Sequence, residues 1–410
     1  MRVLLVNAFH YPRGGVERAY FDETRLLTEA GHEVGHFAIQ DPRNLPSPTR
    51  QWFAPHADYS EGAGLAGRIA QLPRALWSFP AAQAMRRLLG AWRPDVAHVH
   101  APSRYLTPAP ARELERAGVP VVMTLHDFKP WCTNRTLFAH GAPCERCRGG
   151  HHVQAFRTAC VQDSRAASAV GAAEAYLHDR IGVYRNVRRW IAPSSFVRDK
   201  AVELGLDPAR ATVIPHALTD ALAPAPAAAP PVLPAGSFVL YAGRLSVEKG
   251  VRLLPAIALR LAPTPLVVAG DGPLMPWLEE QRAGLTNLIL LGHLERAALA
   301  ATLARTTIAV VPSLSYETFC FAAAEALLAG RRVVASRIGA IPELVEHQVT
   351  GLLAPAGDAH ALAEACERAL NDPDASRWAA AGRERVRAIT DPARHAAALI
   401  EVLESVRPRG

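Results

Sequence analysis

The chain has 410 residues, half of them apolar and a fifth charged, with a net charge of +7. That length and composition exclude a disordered chain and a small disulfide scaffold, and suffice for two or three domain cores. No apolar run approaches the ~20 residues of a membrane helix, and the opening Met1–Asn7 lacks the length and cleavage site of a signal peptide, so a cytoplasmic protein is expected, at most peripheral at the inner membrane surface.

Taken in chain order, short apolar runs read as strands: Val3–Val6, Val96–Val99, Val119–Leu125 and Trp190–Ala192, then Phe238–Tyr241, Leu266–Ala269, Leu288–Leu291, Ile308–Val311 and Val333–Ala335. Longer helical patterns separate them. Continuous apolar strands alternating with helices imply parallel sheets buried on both faces, hence α/β layers of the doubly wound kind. The Ala/Pro stretch from Ala221 to Pro234 is too stiff and featureless for a core element and reads as a linker. The expected organisation is an N-terminal domain over 1–220 with a Cys-rich insertion at 128–165, a linker at 221–236, a C-terminal domain over 237–388, and a terminal helix in 389–410 packing back on the first domain. Ligands in such sheets bind beyond the carboxyl ends of the strands, which directs attention to the residues following each run and to the cleft between the domains.

After the first strand, Gly14-Gly15 leads into a helix expected over Ala19–Ala30. Paired glycines at a helix start admit an anion to the backbone N–H groups, although a plain tight turn would look the same. The segment from Glu61 to Arg93 interleaves Leu65, Ile69, Leu72, Trp77, Phe79, Met85 and Leu88 with Arg68, Arg74, Arg86 and Arg87. This suits a helix at an anionic lipid surface, or one packed on its own sheet. His126-Asp127 follows the Val119–Leu125 run, where an imidazole serves sugar hydroxyls or phosphate as readily as it fills a structural role.

Cys132, Cys144, Cys147 and Cys160 fall together, with Cys320 and Cys366 apart. The Cys144-x2-Cys147 pair is spaced like the knuckle of a zinc site, and the outer two would complete a closed, structural four-thiolate set. Reduced free thiols are the alternative. Disulfides do not suit a cytosolic compartment, and an iron–sulfur cluster lacks a redox partner motif.

Residues 1–220 hold 27 Lys+Arg against 20 Asp+Glu, whereas 221–410 hold 18 of each. A basic first half suits anionic lipid or an acidic acceptor; equally, 42 of the 45 cations are Arg, a mark of genome composition. Nucleic acid is not expected, since neither aromatic stacking motifs nor a recognition helix is present.

The C-terminal half carries the densest signal. Gly243-Arg244-x4-Lys249-Gly250 follows the Phe238–Tyr241 run, placing a guanidinium fork and an ammonium where a departing diphosphate could be held. Two solvated surface cations are the bland alternative, but Lys249 is one of only three lysines. Gly270-Asp271-Gly272-Pro273 follows Leu266–Ala269 as a turn suited to close backbone approach. After Ile308–Val311 come Glu317, then Phe319-Cys320-Phe321 opening an alanine-rich helix, then Glu325. Backbone N–H groups at such a start can face phosphate, and a carboxylate on the helix can take ribose hydroxyls. Asp372-Pro373-Asp374 reads as a helix cap rather than a metal-binding pair.

In order and spacing, Gly243-Arg244-x4-Lys249-Gly250, Ala269-Gly270-Asp271-Gly272-Pro273, Glu317-x7-Glu325, Gly339-Ala340-Ile341-Pro342-Glu343 and Thr350-Gly351-Leu352-Leu353 resemble the retaining GT-B glycosyltransferases of family 4. The likeness runs from Gly14-Gly15 through nearly the whole chain. It implies two Rossmann-like domains, a nucleoside-diphosphate-sugar donor (UDP favoured, GDP next) and a saccharide, lipid-linked or other glycan acceptor, with no metal needed for catalysis. It further implies that Arg244 and Lys249 bind diphosphate, Glu325 ribose and Glu317 the donor sugar, with Gly14, Gly15 and His126 opposite. Ile214-Pro215-His216-Ala217 and Phe319-Cys320 stand where the family usually carries Ile-Pro-Asn-Gly and Phe-Gly. A nucleotide-sugar-binding protein without turnover, or an epimerase, would share the fold; a phosphorylase would need a pyridoxal lysine and a much longer chain.

Overall fold

The computed structural model describes residues 1–56, 73, 76–218 and 232–407. The chain divides into two compact units: Met1–Leu137, Glu145–Ala217 and Pro392–Gly410 form the first, Phe138–Cys144 and Leu218–Asp391 the second. Most of the stretch expected as a linker lies outside the described residues, as do Leu65, Arg68, Ile69, Leu72, Arg74 and Ala75.

The first unit is built on a six-stranded parallel sheet of β1 (Arg2–Val6), β2 (Glu33–Phe37), β3 (Val96–Val99), β4 (Val121–Thr124), β7 (Val187–Ala192) and β8 (Ala211–Val213), in the order β2-β1-β3-β4-β7-β8. β5 (Phe138–Ala139) and β6 (Ala142–Pro143) form a minimal antiparallel hairpin elsewhere. Helix α1 (Gly15–Glu29) starts right after the paired glycines, a turn earlier than its apolar pattern suggests, and turns Tyr20, Glu23, Leu26 and Leu27 inward. On one face of the sheet Val3, Leu5, Val96, Val122 and Ile191 pack with Tyr20 and Leu27. Leu399, Val402 and Leu403 of the terminal helix Pro392–Ser405 complete that cluster.

The second unit holds β9 (Val239–Ala242), β10 (Leu266–Ala269), β11 (Leu288–Gly292), β12 (Ile308–Val311), β13 (Arg332–Ser336) and β14 (Leu352–Ala354), all parallel, in the order β11-β10-β9-β12-β13-β14. Counted within the unit this is the 3-2-1-4-5-6 winding of dinucleotide-binding folds, with its switch point between β9 and β12. The apolar runs are continuous because both faces are covered. Val239, Tyr241, Leu266, Val268, Ile308 and Val310 enter one core, and the alternate residues Phe238, Leu240, Val267, Ala269, Ala309 and Val311 enter the other.

Besides the β5–β6 hairpin, three strands of the two parallel sheets escape the sequence pattern. β2 reads Glu-Val-Gly-His-Phe, a half-polar strand at the sheet edge, and β8 and β14 have three residues each, also at edges. The described residues of the arginine-rich segment form a helix over Phe79–Ala91. Its Ala81, Ala84, Met85 and Leu88 are buried, so this apolar face packs within its own unit and is not a lipid-facing surface. Asp374 does sit at the N-cap of the helix Ala375–Ile389, but its side chain makes no cap hydrogen bond; the Asp374 N–H instead donates to Asp372 Oδ1. Among the described residues no helix is long and apolar enough to cross a membrane.

Candidate functional site

The motifs of the second unit converge at its switch point. The loop after β9 and the loop after β12 are tied by backbone, with the N–H groups of Leu314 and Ser315 both donating to the Glu248 carbonyl. Gly250 has the left-handed φ of +74°, and a Cβ there would lie 1.8 Å from the Pro312 carbonyl oxygen, so the lysine loop can lie against the β12 loop only with glycine at this position. Gly270 meets the same constraint after the neighbouring strand β10, where a Cβ would come within 1.9 Å of the Gly243 carbonyl oxygen.

This close packing puts Lys249 and Glu317 together. Lys249 Nζ donates to Glu317 Oε1 at 2.8 Å, and Ser313 Oγ donates to the same oxygen at 2.6 Å. Glu317 is buried; burial alone would raise its pKa, but the Lys249 ammonium and its hydrogen bond hold the carboxyl below the usual carboxylate range. The Lys249 ammonium is in turn stabilised against its own burial by Glu317. The result is a fixed ion pair whose lysine remains about a third exposed. Arg244 is exposed, and no ion pair is found for it among the described residues; its carbonyl accepts from Tyr241 Oη at 2.7 Å, which shapes the turn and leaves the guanidinium outside.

Gly243 and Asp271 are exposed, and Asp271 Oδ1 accepts from the Gly272 N–H, closing that turn on itself. Cys320 precedes helix α2 (Phe321–Leu328) with a left-handed φ of +71°, a conformation an L-residue adopts at a cost and glycine adopts freely. Phe319 is buried against Phe321, with ring centroids 5.1 Å apart, and Glu325 is half-buried one turn into α2.

In the first unit Gly14 and Gly15 are exposed at the start of α1, where Gly14 is the N-cap in extended conformation. Among the described residues a Cβ at Gly14 would meet only Glu17 Oε2, at an ordinary 3.7 Å, so packing among them does not demand the glycine. Glu17 is itself turned in, accepting from Asn7 Nδ2 at 3.1 Å. His126 does not stand alone. Its Nε2 is 3.0 Å from His100 Nδ1 and its ring stacks on that of His216, 5.1 Å away at 10°. Burial, then the neighbouring His216 and His100, keep its pKa well below the ordinary value, so His126 is a neutral imidazole in a stack of three.

Cys132, Cys144, Cys147 and Cys160 are all free cysteines. Cys144 belongs to the segment grouped with the second unit, whereas Cys132, Cys147 and Cys160 lie in the first. Cys132 is buried, donates to Asn134 Oδ1 at 3.0 Å, and has its thiol pushed up to about 12 by burial. The Cys147 thiol shifts the other way: burial is outweighed by hydrogen bonds from His152 and Thr133. His152, 2.8 Å from Asp179, is raised to about 9 against its burial by the hydrogen bonds to Asp179 and Cys147. Among the described residues the side chains that do converge as a three-ligand set are Glu23, His98 and His100, all buried, which no sequence spacing singled out. A glutamate on one helix and two histidines alternating on a strand some 75 positions later carry no local signature.

Known proteins support a single reading. Residues 13–221 match the family described as glycosyltransferase family 4, and residues 236–372 match glycosyl transferases group 1. The chain is 31% identical over 417 residues to a glycogen synthase of Mycobacterium tuberculosis, covering 94% of this chain and 90% of that one. It is 29% identical to the 2-deoxystreptamine N-acetyl-D-glucosaminyltransferase of Streptomyces fradiae, over 73% of this chain and 68% of that one. Among solved structures, Anabaena HepE in complex with UDP-glucose superposes with a TM-score of 0.69 at 18% identity, over 99% of this chain and 100% of that one. A sucrose-phosphate synthase from Thermosynechococcus elongatus does so with a TM-score of 0.69 at 20% identity, over 98% of both.

Proposed function

Because the chain belongs to glycosyltransferase family 4, the retaining GT-B enzymes that take sugars from nucleotide-sugar donors, we propose that it moves a sugar from a nucleoside-diphosphate sugar, a UDP-sugar before a GDP-sugar, to a saccharide, lipid-linked or other glycan acceptor. The observation that carries this reading is the Lys249–Glu317 pair at the switch point of the second unit. Lys249 is charged, partly exposed and fixed, and Arg244 extends into solvent from the same loop; together they suit the two charges of a diphosphate leaving group. Glu317 is held ionised and can accept from donor-sugar hydroxyls, and Glu325 on α2 is assigned the ribose.

Retention by double displacement needs a second carboxylate some 5 Å from the first, acting as acid and base. The donor loops bring a lysine, not a carboxylate, onto Glu317. This favours front-face substitution: the acceptor hydroxyl attacks on the side from which the diphosphate departs, the leaving phosphate oxygen takes the hydroxyl proton, and Arg244 and Lys249 stabilise the growing negative charge. The acceptor is assigned to the first unit, in which the exposed Gly14-Gly15 turn is assigned to nucleotide-sugar binding and His126 to catalysis.

The test is a panel of nucleotide sugars scored by thermal stabilisation, followed by product analysis of the anomeric configuration with the donor selected. A ligand at 100 times its Kd adds about 2.7 kcal/mol. Binding of a nucleotide sugar without either transfer or slow donor hydrolysis would leave a binding protein, and an inverted product would rule out the front-face route.

A further inference from the structure

Four buried polar side chains of the first unit meet around one carboxylate. Glu23 Oε2 lies 3.0 Å from His98 Nδ1 and 3.2 Å from His100 Nε2, and His395 Nε2 lies 3.5 Å from the other oxygen of the same carboxylate. All four side chains are at most 5% exposed. Despite the short distances, Glu23 Oε2, His98 Nδ1, His100 Nε2 and His395 Nε2 lack a partner in hydrogen-bond geometry. Polar atoms buried together in this way would cost several kcal/mol if nothing joined them.

The outward nitrogens of the same three rings are engaged. His98 Nε2 is 2.8 Å from Thr124 Oγ1, His100 Nδ1 is 3.0 Å from His126 Nε2, and His395 Nδ1 donates to the Pro215 carbonyl at 2.7 Å. An imidazole whose far nitrogen is held by a hydrogen bond, leaving the near nitrogen as a bare lone pair directed inward, is the arrangement that orients histidine ligands around a metal ion. The ligand atoms of Glu23, His98 and His100 lie within 4.8 Å of one another, and the two carboxylate–imidazole separations of 3.0 and 3.2 Å are close to the edge of about 3.3 Å of a tetrahedron with bonds of about 2.0–2.1 Å.

We propose that Glu23, His98 and His100 form a buried structural site for a borderline divalent cation of the zinc class, with His395 held against the other oxygen of the Glu23 carboxylate. Two imidazoles and one carboxylate are nitrogen and oxygen donors of that preference, and their burial in the first unit assigns the ion a structural role. It fastens two segments of the first unit that are far apart in sequence, α1 through Glu23 and the β3 end through His98 and His100, and the terminal helix Pro392–Ser405 meets the same carboxylate through His395. With Nε2 on the metal, His100 carries its proton on Nδ1 and donates it to His126. This site is independent of the donor assignment, which rests on the second unit.

The full-length protein, stripped with chelator and re-equilibrated with zinc, should retain about one zinc per chain after gel filtration. Cobalt in its place should give the intense visible bands of a four-coordinate ion without the near-ultraviolet band of thiolate ligation. Cys144→Ser and Cys147→Ser should keep the metal, and His98→Gln and Glu23→Gln should lose it. The cobalt spectrum of the unaltered chain is informative even if those last two variants do not fold. A chain that stays metal-free at stoichiometric zinc overturns the site and leaves a buried imidazolium–carboxylate network. A thiolate charge-transfer band overturns it in favour of the cysteine segment, and so does zinc retained by folded His98→Gln.

Discussion

Arg244 and Lys249 have the same proposed task and different structural standing, so their loss should be distinguishable. Replacing either by Ala should cost about 2–4 kcal/mol of transition-state stabilisation, on the order of 10²–10³ in kcat. Arg244→Ala should leave the melting temperature nearly unchanged, because the side chain is exposed. Lys249→Ala should also destabilise by about 1–2 kcal/mol, because it strands the buried Glu317 carboxylate with only Ser313; near-normal turnover in both variants would remove the pair from the site. Glu317 has its pKa depressed by folding, so its contribution is full above the unfolded-state value of 4.5 and is lost as pH falls through the lower folded value. Glu317→Gln should therefore flatten the stability profile on the acid side in urea titrations. At Cys320 the departure from the family glycine has a physical consequence: the residue sits at φ +71°, and Cys320→Gly should be neutral to about 1 kcal/mol stabilising, a sign opposite to that of most buried replacements.

At the scale of the element, the loop after β9 and helix α2 do the positioning. Gly250→Ala would force a Cβ to 1.8 Å from a backbone oxygen in a conformation L-residues avoid, so it should cost more than about 2 kcal/mol. The loss should appear together with weakened nucleotide affinity, since the lysine loop would have to lift from the β12 loop. Glu325 is half-buried on α2, and if it holds the ribose, Glu325→Gln should weaken free nucleoside diphosphate as well as the donor; unchanged nucleotide affinity by calorimetry would move it out of the site. β2, β8 and β14 show why some elements elude a reading of periodicity. An edge strand of three residues, or one carrying Glu and His, buries too little on either face to impose a pattern on its sequence.

For the whole molecule, the terminal helix belongs to the first unit although the second precedes it in the chain. Leu399 and Leu403 are fully buried there and Val402 nearly so. Truncation after Asp391 removes three side chains of a kind whose loss typically costs about 2–5 kcal/mol each, comparable with the whole stability of a domain. The truncated chain should show a separate, lower melting step for the first unit, while calorimetry still detects nucleotide binding by the second. The amino-acid sequence by itself determined the α/β class, most strands and the glycine-rich loops that follow them, because strands buried on both faces need continuous apolar runs, and because glycines at close backbone contacts occupy fixed offsets after a strand. Only the tertiary structure decided what depends on long-range proximity. Lys249 and Glu317, 68 positions apart, become a pair through the β9–β12 switch point. His126 enters a histidine stack with His100 and His216. The convergence of Glu23, His98, His100 and His395 follows from a helix, a strand and a chain terminus meeting at one edge of a core, an outcome of winding that no local spacing encodes.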